Sequence, residues 1–346
     1  MNKELIAALR ELEKEKGIKL DTIIDALNVA LNSAYKKNYK IDFDSRVEVD
    51  TETGEIKVFK VLTEDEKSDN DADELEVTPD NFGRIAAQTA MQVIKQRIKE
   101  AEREIMYEEF KDRVGDLVTG IIQQSDARFT LVDLGKVEAL LPQHEQVANE
   151  RYRHGERIKA FISEVRKTTK GPQVIVSRTH TGLIERLFEL EVPEIGEDIV
   201  EIVNIAREPG YRTKIAVKSN DKNVDPVGAC VGPKGSRVRM VVDELSGEKI
   251  DIVCYSQDVV EFIKNSLSPA KVNKVLTEEE RKFALVVVPN DQLSLAIGRE
   301  GQNARLAAKL TGWKIDIKSQ RQFDEELEEA RRERLKIRQQ SEEQPE

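Results

Sequence analysis

The chain has 346 residues, of which 35% are charged and 5% aromatic, and a net charge of −11. That length predicts two to four modules, and that composition predicts several small solvated domains rather than one large core. No apolar run nears the ~18 residues of a membrane helix, the start MNKELIAALRELEKEK is charged from its third residue and shows no signal peptide, and only two cysteines argue against a disulfide framework.

Cys230 and Cys254 form no C-x-x-C pair and are expected to pack as small apolar side chains. His144, His154 and His180 are scattered among polar neighbours, so no metal and no cofactor is expected, and no catalytic residue stands out. A cytoplasmic monomer is expected. The charge is uneven: 17 basic against 26 acidic residues give −9 over residues 1–110, 32 against 31 give +1 over 111–320, and 6 against 9 give −3 over 321–346. A balanced middle can present basic patches, so the whole-chain acidity excludes no nucleic-acid partner.

In chain order, Leu5, Ile6, Leu9 and Leu12 make one helical stripe, and Ile23, Ile24, Leu27, Leu31 and Tyr35 make a second. SRVEVDTETGEIKVFKVL then alternates as two strands about a Thr53-Gly54 turn. The acidic stretch 63–76 reads as a solvated loop. A long helix is predicted over roughly 80–110, with no breaker after Gly83.

From 112 to 179 the pattern changes to five short strand candidates, DLVTGIIQQ, RFTLVDL, VEALLP, ERIKAFISEVRK and PQVIVSR. Five strands in some 70 residues suggest a small closed barrel of the OB type. The stretch also resembles an S1 RNA-binding domain. Where that family carries stacking aromatics this chain has Arg128 and Leu131, and Pro142 stands at its histidine position. Phe129 is offset by one, which predicts that it turns to the opposite face. Arg128 and Arg153 are candidate phosphate contacts, as are Arg151 and Arg166.

Two G-x-x-G tetrads follow, in VGPKGS (231–236) and IGREGQ (297–302). With 18 glycines in the chain about one such tetrad is expected by chance, so the spacing alone says little. Context changes that. GPKGSRVRMVVDELSGEKIDIV and GREGQNARLAAKLTGWKIDIK each run from tetrad through a helical stretch and a glycine stop to the quartet KIDI, at 249–252 and 314–317. The offset is 66 residues at the tetrads and 65 at the quartets, one residue being deleted between them, and self-similarity of this kind signals a duplicated unit. Upstream, each copy predicts helix, strand, strand and a short helix entering the tetrad. The first has LIERLFELEV, IVEIVNIA, RTKIAVKS and DPVGACV; the second has VVEFIKNSL, KVNKVL, FALVVVP and DQLSLAI. Val238, Val241, Val242 and Leu245 form the buried stripe after the first tetrad. The order resembles the prokaryotic-type KH domain, in tandem.

Two glycines let the backbone turn sharply and leave no side chain between it and a ligand. The helix behind them offers unpaired N–H groups and the positive end of its dipole to phosphate oxygens. The candidate RNA-binding residues are therefore Gly232, Pro233, Lys234, Gly235, Ser236, Arg237 and Arg239 in the first copy. In the second they are Gly298, Arg299, Glu300, Gly301, Gln302 and Asn303. Lys222, Lys234, Arg237 and Arg239 outnumber Asp225 around the first loop, while Arg299 is offset by Glu300 at the second.

The strings GRIAAQTAMQVIKQRIKEAERE, LFELEVPEIGEDIVEIVNIAREPGYRTKIAVKS, DPVGACVGPKGSRVRMVVDELSGEKIDIV and LAIGREGQNARLAAKLTGWKIDI extend the likeness to about residues 1–318. Together they resemble the NusA family of bacterial transcription termination/antitermination factors. The resemblance implies a multidomain α+β chain: an α/β head with its connecting helix (1–110), an S1 barrel (111–180), KH units at 181–256 and 257–320, and a charged tail (321–346). It further implies that the head docks on RNA polymerase, that the S1–KH–KH array takes up nascent single-stranded RNA, and that other elongation and antitermination factors are partners, with no membrane. Some members carry acidic repeats after the second KH unit; this chain has FDEELEEARRERLKIRQQSEEQPE there, so autoinhibition by such repeats is not expected. Phosphorolytic ribonucleases also carry S1 and KH modules, but no Walker A sequence, nucleophile–base pairing or metal-ligand spacing stands here. A ribosomal protein, the third reading, would be strongly basic, against a pI near 5.2.

Overall fold

The computed structural model describes residues 6, 10, 13, 20–62, 74–79, 81–126, 128–169 and 171–342, with side chains to 332. Leu5, Leu9 and Leu12 of the first stripe, and most of the acidic stretch 63–76, lie outside the described residues. The chain forms two compact units: residues 1–112 with 165–173, and residues 113–164 with 174–346.

In the first unit, helix α1 (Leu20–Tyr39) buries Ile23, Ile24, Leu27, Leu31 and Tyr35. These are the five residues of the second predicted stripe. They pack on Val47, Val49 and Val58 of an antiparallel sheet in the order β1 (Ser45–Val49), β2 (Ile56–Val61), β3 (Glu74–Glu76). The hairpin turns at Gly54 (φ 71°), as predicted; the third strand has no signal in the sequence. Helix α2 (Phe82–Lys111) enters the same core through Phe82, Ala86 and Ala90, with Phe82 edge-on to Tyr35 at 5.6 Å.

Five strands follow, within the second unit except for residues 165–173: β4 (Leu117–Ser125), β5 (Phe129–Asp133), β6 (Glu138–Pro142), β7 (Arg157–Thr168) and β8 (Gly171–Ser177), closed as a barrel in the order β4-β5-β6-β8-β7. β6 and β8 run parallel, as an OB-type barrel requires. Thr130 and Val132 point inward and are buried. Thr130 is accommodated because its hydroxyl meets Ser125 Oγ at 2.8 Å and Gln146 Nε2 at 3.4 Å. Phe129 therefore shares the outer, half-buried side of β5 with Leu131. The predicted reversal of Phe129 fails because Arg128 lies in the turn before the strand, where its N–H donates to Asp126 Oδ1 at 2.7 Å.

Two α+β units follow. The first comprises α3 (Thr181–Glu191), the short α4 (Pro193–Gly196), β9 (Val200–Glu208), β10 (Arg212–Ser219), α5 (Pro226–Val231), α6 (Ser236–Glu244) and β11 (Lys249–Cys254). The second comprises α7 (Val259–Ser266), β12 (Lys274–Glu278), β13 (Phe283–Val288), α8 (Leu293–Ile297), α9 (Gln302–Thr311) and β14 (Lys314–Ser319), after which α10 (Gln320–Glu342) runs on. In each sheet the middle strand pairs antiparallel with the strand before it and parallel with the KIDI strand. Both quartets start at the same register, Lys249 against Arg212 and Lys314 against Phe283. Cys230 is buried, and its thiol is pushed up to about 12 by that burial. Cys254 departs from expectation: strand alternation buries Val253 and leaves Cys254 exposed.

The modules of this unit share buried contacts. Between barrel and first repeat, the Arg178 guanidinium donates to the carboxylate of Glu150, the Lys159 carbonyl (2.8 Å) and the Glu244 carbonyl (2.9 Å). Beside it Arg207 and Glu248, each side chain 1% exposed, form a bidentate pair at 2.9 Å, and Glu248 also accepts from Gly210 N–H and Thr213 Oγ1. Such a pair is tolerable in the interior because its remaining lone pairs are satisfied. Between the repeats, Ala206, Ala216, Val253 and Phe262 pack on Leu306 and Leu310, and Asn204 Nδ2 donates to the Leu310 carbonyl at 2.6 Å. Lys214, fully buried at this seam, is pushed down by desolvation while Asp251 (3.0 Å) pulls it up; its Nζ also donates to the Ser268 carbonyl.

Candidate nucleic-acid interface

The two tetrads share only their glycines, yet their backbones coincide. Gly232 has φ 73°, ψ 173° and Gly298 has φ 76°, ψ 172°. Lys234 (φ 53°, ψ 27°) and Glu300 (φ 54°, ψ 25°) are both left-handed, and Gly235 (φ 76°) and Gly301 (φ 74°) cap the helices that follow. Neither helix has a side-chain cap at its N-terminus. The left-handed conformation costs a non-glycine residue about 1–2 kcal/mol, so the same strain held twice marks a geometry the surrounding packing imposes.

Close approach explains the first glycine of each tetrad. A Cβ at Gly232 would lie 2.7 Å from Arg237 Cγ, and one at Gly298 would lie 2.8 Å from the Asn303 backbone nitrogen. Arg237 and Asn303 hold equivalent positions and both turn inward. Arg237 Nη1 donates to the Ala229 carbonyl at 2.6 Å and to Glu194 at 3.0 and 3.1 Å. Asn303, 3% exposed, donates from Nδ2 to the carbonyls of Ala296 (3.0 Å), Leu267 (3.1 Å) and Leu295 (3.5 Å), while its Oδ1 is buried without a partner. The two side chains brace their loops from behind. In front, Pro233, Lys234, Ser236, Arg239, Arg299 and Glu300 are exposed.

The second loop faces a cleft of about 780 Å³. Tyr211, Arg212 and Lys249 of the first repeat form one wall; Gly298, Arg299, Gln302 and Arg305 form the other. Tyr211 is 59% exposed, and Arg212 is tied to Asp251 at 2.7 and 2.9 Å. Glu208 reaches across: its Oε1 accepts from Arg305 Nε at 2.5 Å and its Oε2 from Gln302 Nε2 at 2.9 Å. The Arg305 hydrogen bond holds the Glu208 carboxyl below the usual carboxylate range. A cation-lined cleft with an exposed aromatic offers both phosphate contacts and a stacking face.

The sequence reading missed Tyr211, Lys249 and Glu208. The available signal was the EPGYRT turn between two strands, whose aromatic cannot reach a core. Arg128 and Arg153 sit on barrel loops, Arg128 in the turn before β5 and Arg153 between β6 and β7, 3.7 Å from Glu156. His154 Nδ1 lies 2.7 Å from the Gln123 carbonyl, and His180 caps α3 through Gly182 N–H while stacked on Phe161 at 4.4 Å. Among the described residues no group of three or more His, Cys, Asp and Glu could hold a metal, and no helix is long and apolar enough to cross a membrane.

A closed five-stranded barrel joined to two units with matching tetrad loops defines a nucleic-acid-binding protein of the S1–KH class. Family models match the NusA N-terminal domain over residues 4–104, the S1 RNA-binding domain over 111–177, the NusA-like first KH domain over 178–255 and the NusA-like second KH domain over 259–325. The chain is 55% identical over 370 aligned positions to the transcription termination/antitermination protein NusA of Halalkalibacterium halodurans, covering 100% of this chain and 97% of that one. It is 55% identical over 340 positions to the Bacillus subtilis NusA, covering 92% of each. A solution structure of the B. subtilis NusA N-terminal domain is 45% identical, covers 30% of this chain and 99% of that chain, and aligns with a TM-score of 0.26. The chain belongs to the NusA family of transcription termination/antitermination proteins.

Proposed function

We propose that the S1–KH–KH portion holds single-stranded RNA along the two tetrad loops while the head docks on RNA polymerase, and that this tethering modulates pausing, termination and antitermination. The coincidence of the two strained loops carries the reading. Two glycine-capped helix N-termini, each behind a loop braced from its inner side and exposed on its front, form two phosphate clamps of the same backbone geometry. Gly232, Pro233, Lys234, Gly235, Ser236 and Arg239 serve the first clamp. Gly298, Arg299, Gly301 and Gln302 serve the second, and Arg237 and Asn303 hold the loops in shape. Tethering two weak anchors raises the local concentration of transcript at the polymerase without a tight site on either.

On this reading the protein acts without catalysis, as a cytoplasmic monomer; in support of the first, the four matched modules span nearly all of residues 4–325. The head, whose net charge is −9 over residues 1–110, is the part not asked to touch RNA. A fragment of residues 1–110 is expected to retain polymerase from solution without RNA. Failure of that capture, with the full chain binding normally, would move the docking site elsewhere.

A further inference from the structure

Arg239 and Arg305 each stand four residues beyond the second glycine of their tetrads, on the first turn of equivalent helices. Their surroundings differ. Arg239 is exposed, and no ion pair holds it among the described residues. Arg305 is bound by Glu208, a residue of the neighbouring repeat, and the same carboxylate takes Gln302 at the N-terminus of α9. A carboxylate accepting through both oxygens from a guanidinium and an amide beside a helix N-terminus uses the groups that a phosphodiester would use there. Glu208 also lines the cleft, with Arg299 and Lys249 near it.

We propose that Glu208 is an internal phosphate mimic: it occupies the Gln302 amide and the Arg305 guanidinium beside the second loop, and an RNA phosphodiester must displace it to engage them. The second loop then engages RNA at lower affinity than its cations alone would give, and the first loop, with Arg239 free, is the stronger clamp. This rests on the reading that RNA follows the tetrads. The low proton affinity of Glu208 keeps the mimic anionic at neutral pH. It remains partly accessible, with 18% of its side chain exposed and 49% of Arg305, so an incoming phosphate can reach the pair.

The test is Glu208→Gln in the full chain, titrated with an unstructured single-stranded RNA oligonucleotide across a salt series. Glutamine keeps the shape and one acceptor oxygen but removes the charge. Freed of its internal anion, Arg305 gains a counterion that RNA then releases, so the log–log salt slope is expected to steepen by about 0.7. That slope corresponds to RNA bound roughly tenfold tighter at about 50 mM salt, a gain that vanishes towards 1 M. Adding Arg305→Gln to Glu208→Gln is expected to abolish the gain. Weaker binding, or an unchanged slope, would overturn the proposal and make Glu208 a brace between repeats. A wild-type chain that fails to bind the oligonucleotide would overturn both this inference and the functional reading.

Discussion

Lys234 and Glu300 occupy the same place in two loops with the same left-handed backbone, φ 53° and 54°, and carry opposite charges. The fold fixes the geometry of the tetrad and leaves the charge at its third position free to vary. Phosphate contact should therefore concentrate at the first loop. Lys234→Asn, which tolerates the left-handed conformation, is expected to weaken single-stranded RNA binding and flatten its salt slope by about 0.7, and Lys234→Asp to weaken it further. Both should melt like the wild type. Glu300→Lys should act in the opposite sense, and filter-binding titrations over salt would report all three.

The first glycines should differ in their tolerance of a methyl group. Gly232 and Gly298 both sit where L-residues are strained, at a cost of about 1–3 kcal/mol. At Gly232 the added Cβ meets only side-chain atoms of Arg237, the nearest Cγ at 2.7 Å, whereas at Gly298 it also meets the Asn303 backbone nitrogen at 2.8 Å. Gly298→Ala is thus expected to destabilise more than Gly232→Ala in denaturant unfolding. Equal losses would mean that the second loop can shift as a body.

Asn303 gives a sharper discrimination between brace and base reader. Asn303→Ala removes three hydrogen bonds to carbonyls and should cost about 1–3 kcal/mol. Asn303→Asp would set a carboxylate against those carbonyls and should cost several kcal/mol more. A fall in RNA affinity at an unchanged unfolding midpoint would instead show that Asn303 reads RNA.

Much of this was legible in the residues. The five-residue stripe of α1 defines its buried face because a 3.6-residue period admits only one apolar side, and the duplicated tetrad–helix–KIDI order defines both repeats before any contact is known. What escaped is long-range. Arg237 turns inward to Glu194, 43 residues away, and Arg305 is neutralised by a residue 97 positions upstream. No local pattern encodes how two modules dock. The side that Phe129 takes is hidden for a subtler reason: strand parity is known only once one residue's side is known, and here the buried one is the polar Thr130.

Acid should loosen the seams before the cores. Glu208 is held below the ordinary carboxylate range by Arg305. In Glu248 and Asp251 burial pushes upward, but Arg207 for the first, and Arg212 and Lys214 for the second, overcome it and hold both low. A carboxylate lowered in the folded state contributes stability that is present above its unfolded value and is lost as pH falls through its folded value. Thermal midpoints should therefore be flat from neutral pH to the ordinary carboxylate range and fall below it. Glu248→Gln should lower the neutral plateau and shallow the acid limb; an acid limb identical to wild type would exclude that pair as a source of the pH dependence.

The most direct measurement is a nucleotide-resolved crosslink map of nascent RNA on this protein in a paused transcription complex. Adducts are expected to cluster at 232–239 and 298–305, with transcript bridging the cleft beside Tyr211. Transcript lying along neither tetrad, with the protein nonetheless altering the pause, would contradict it.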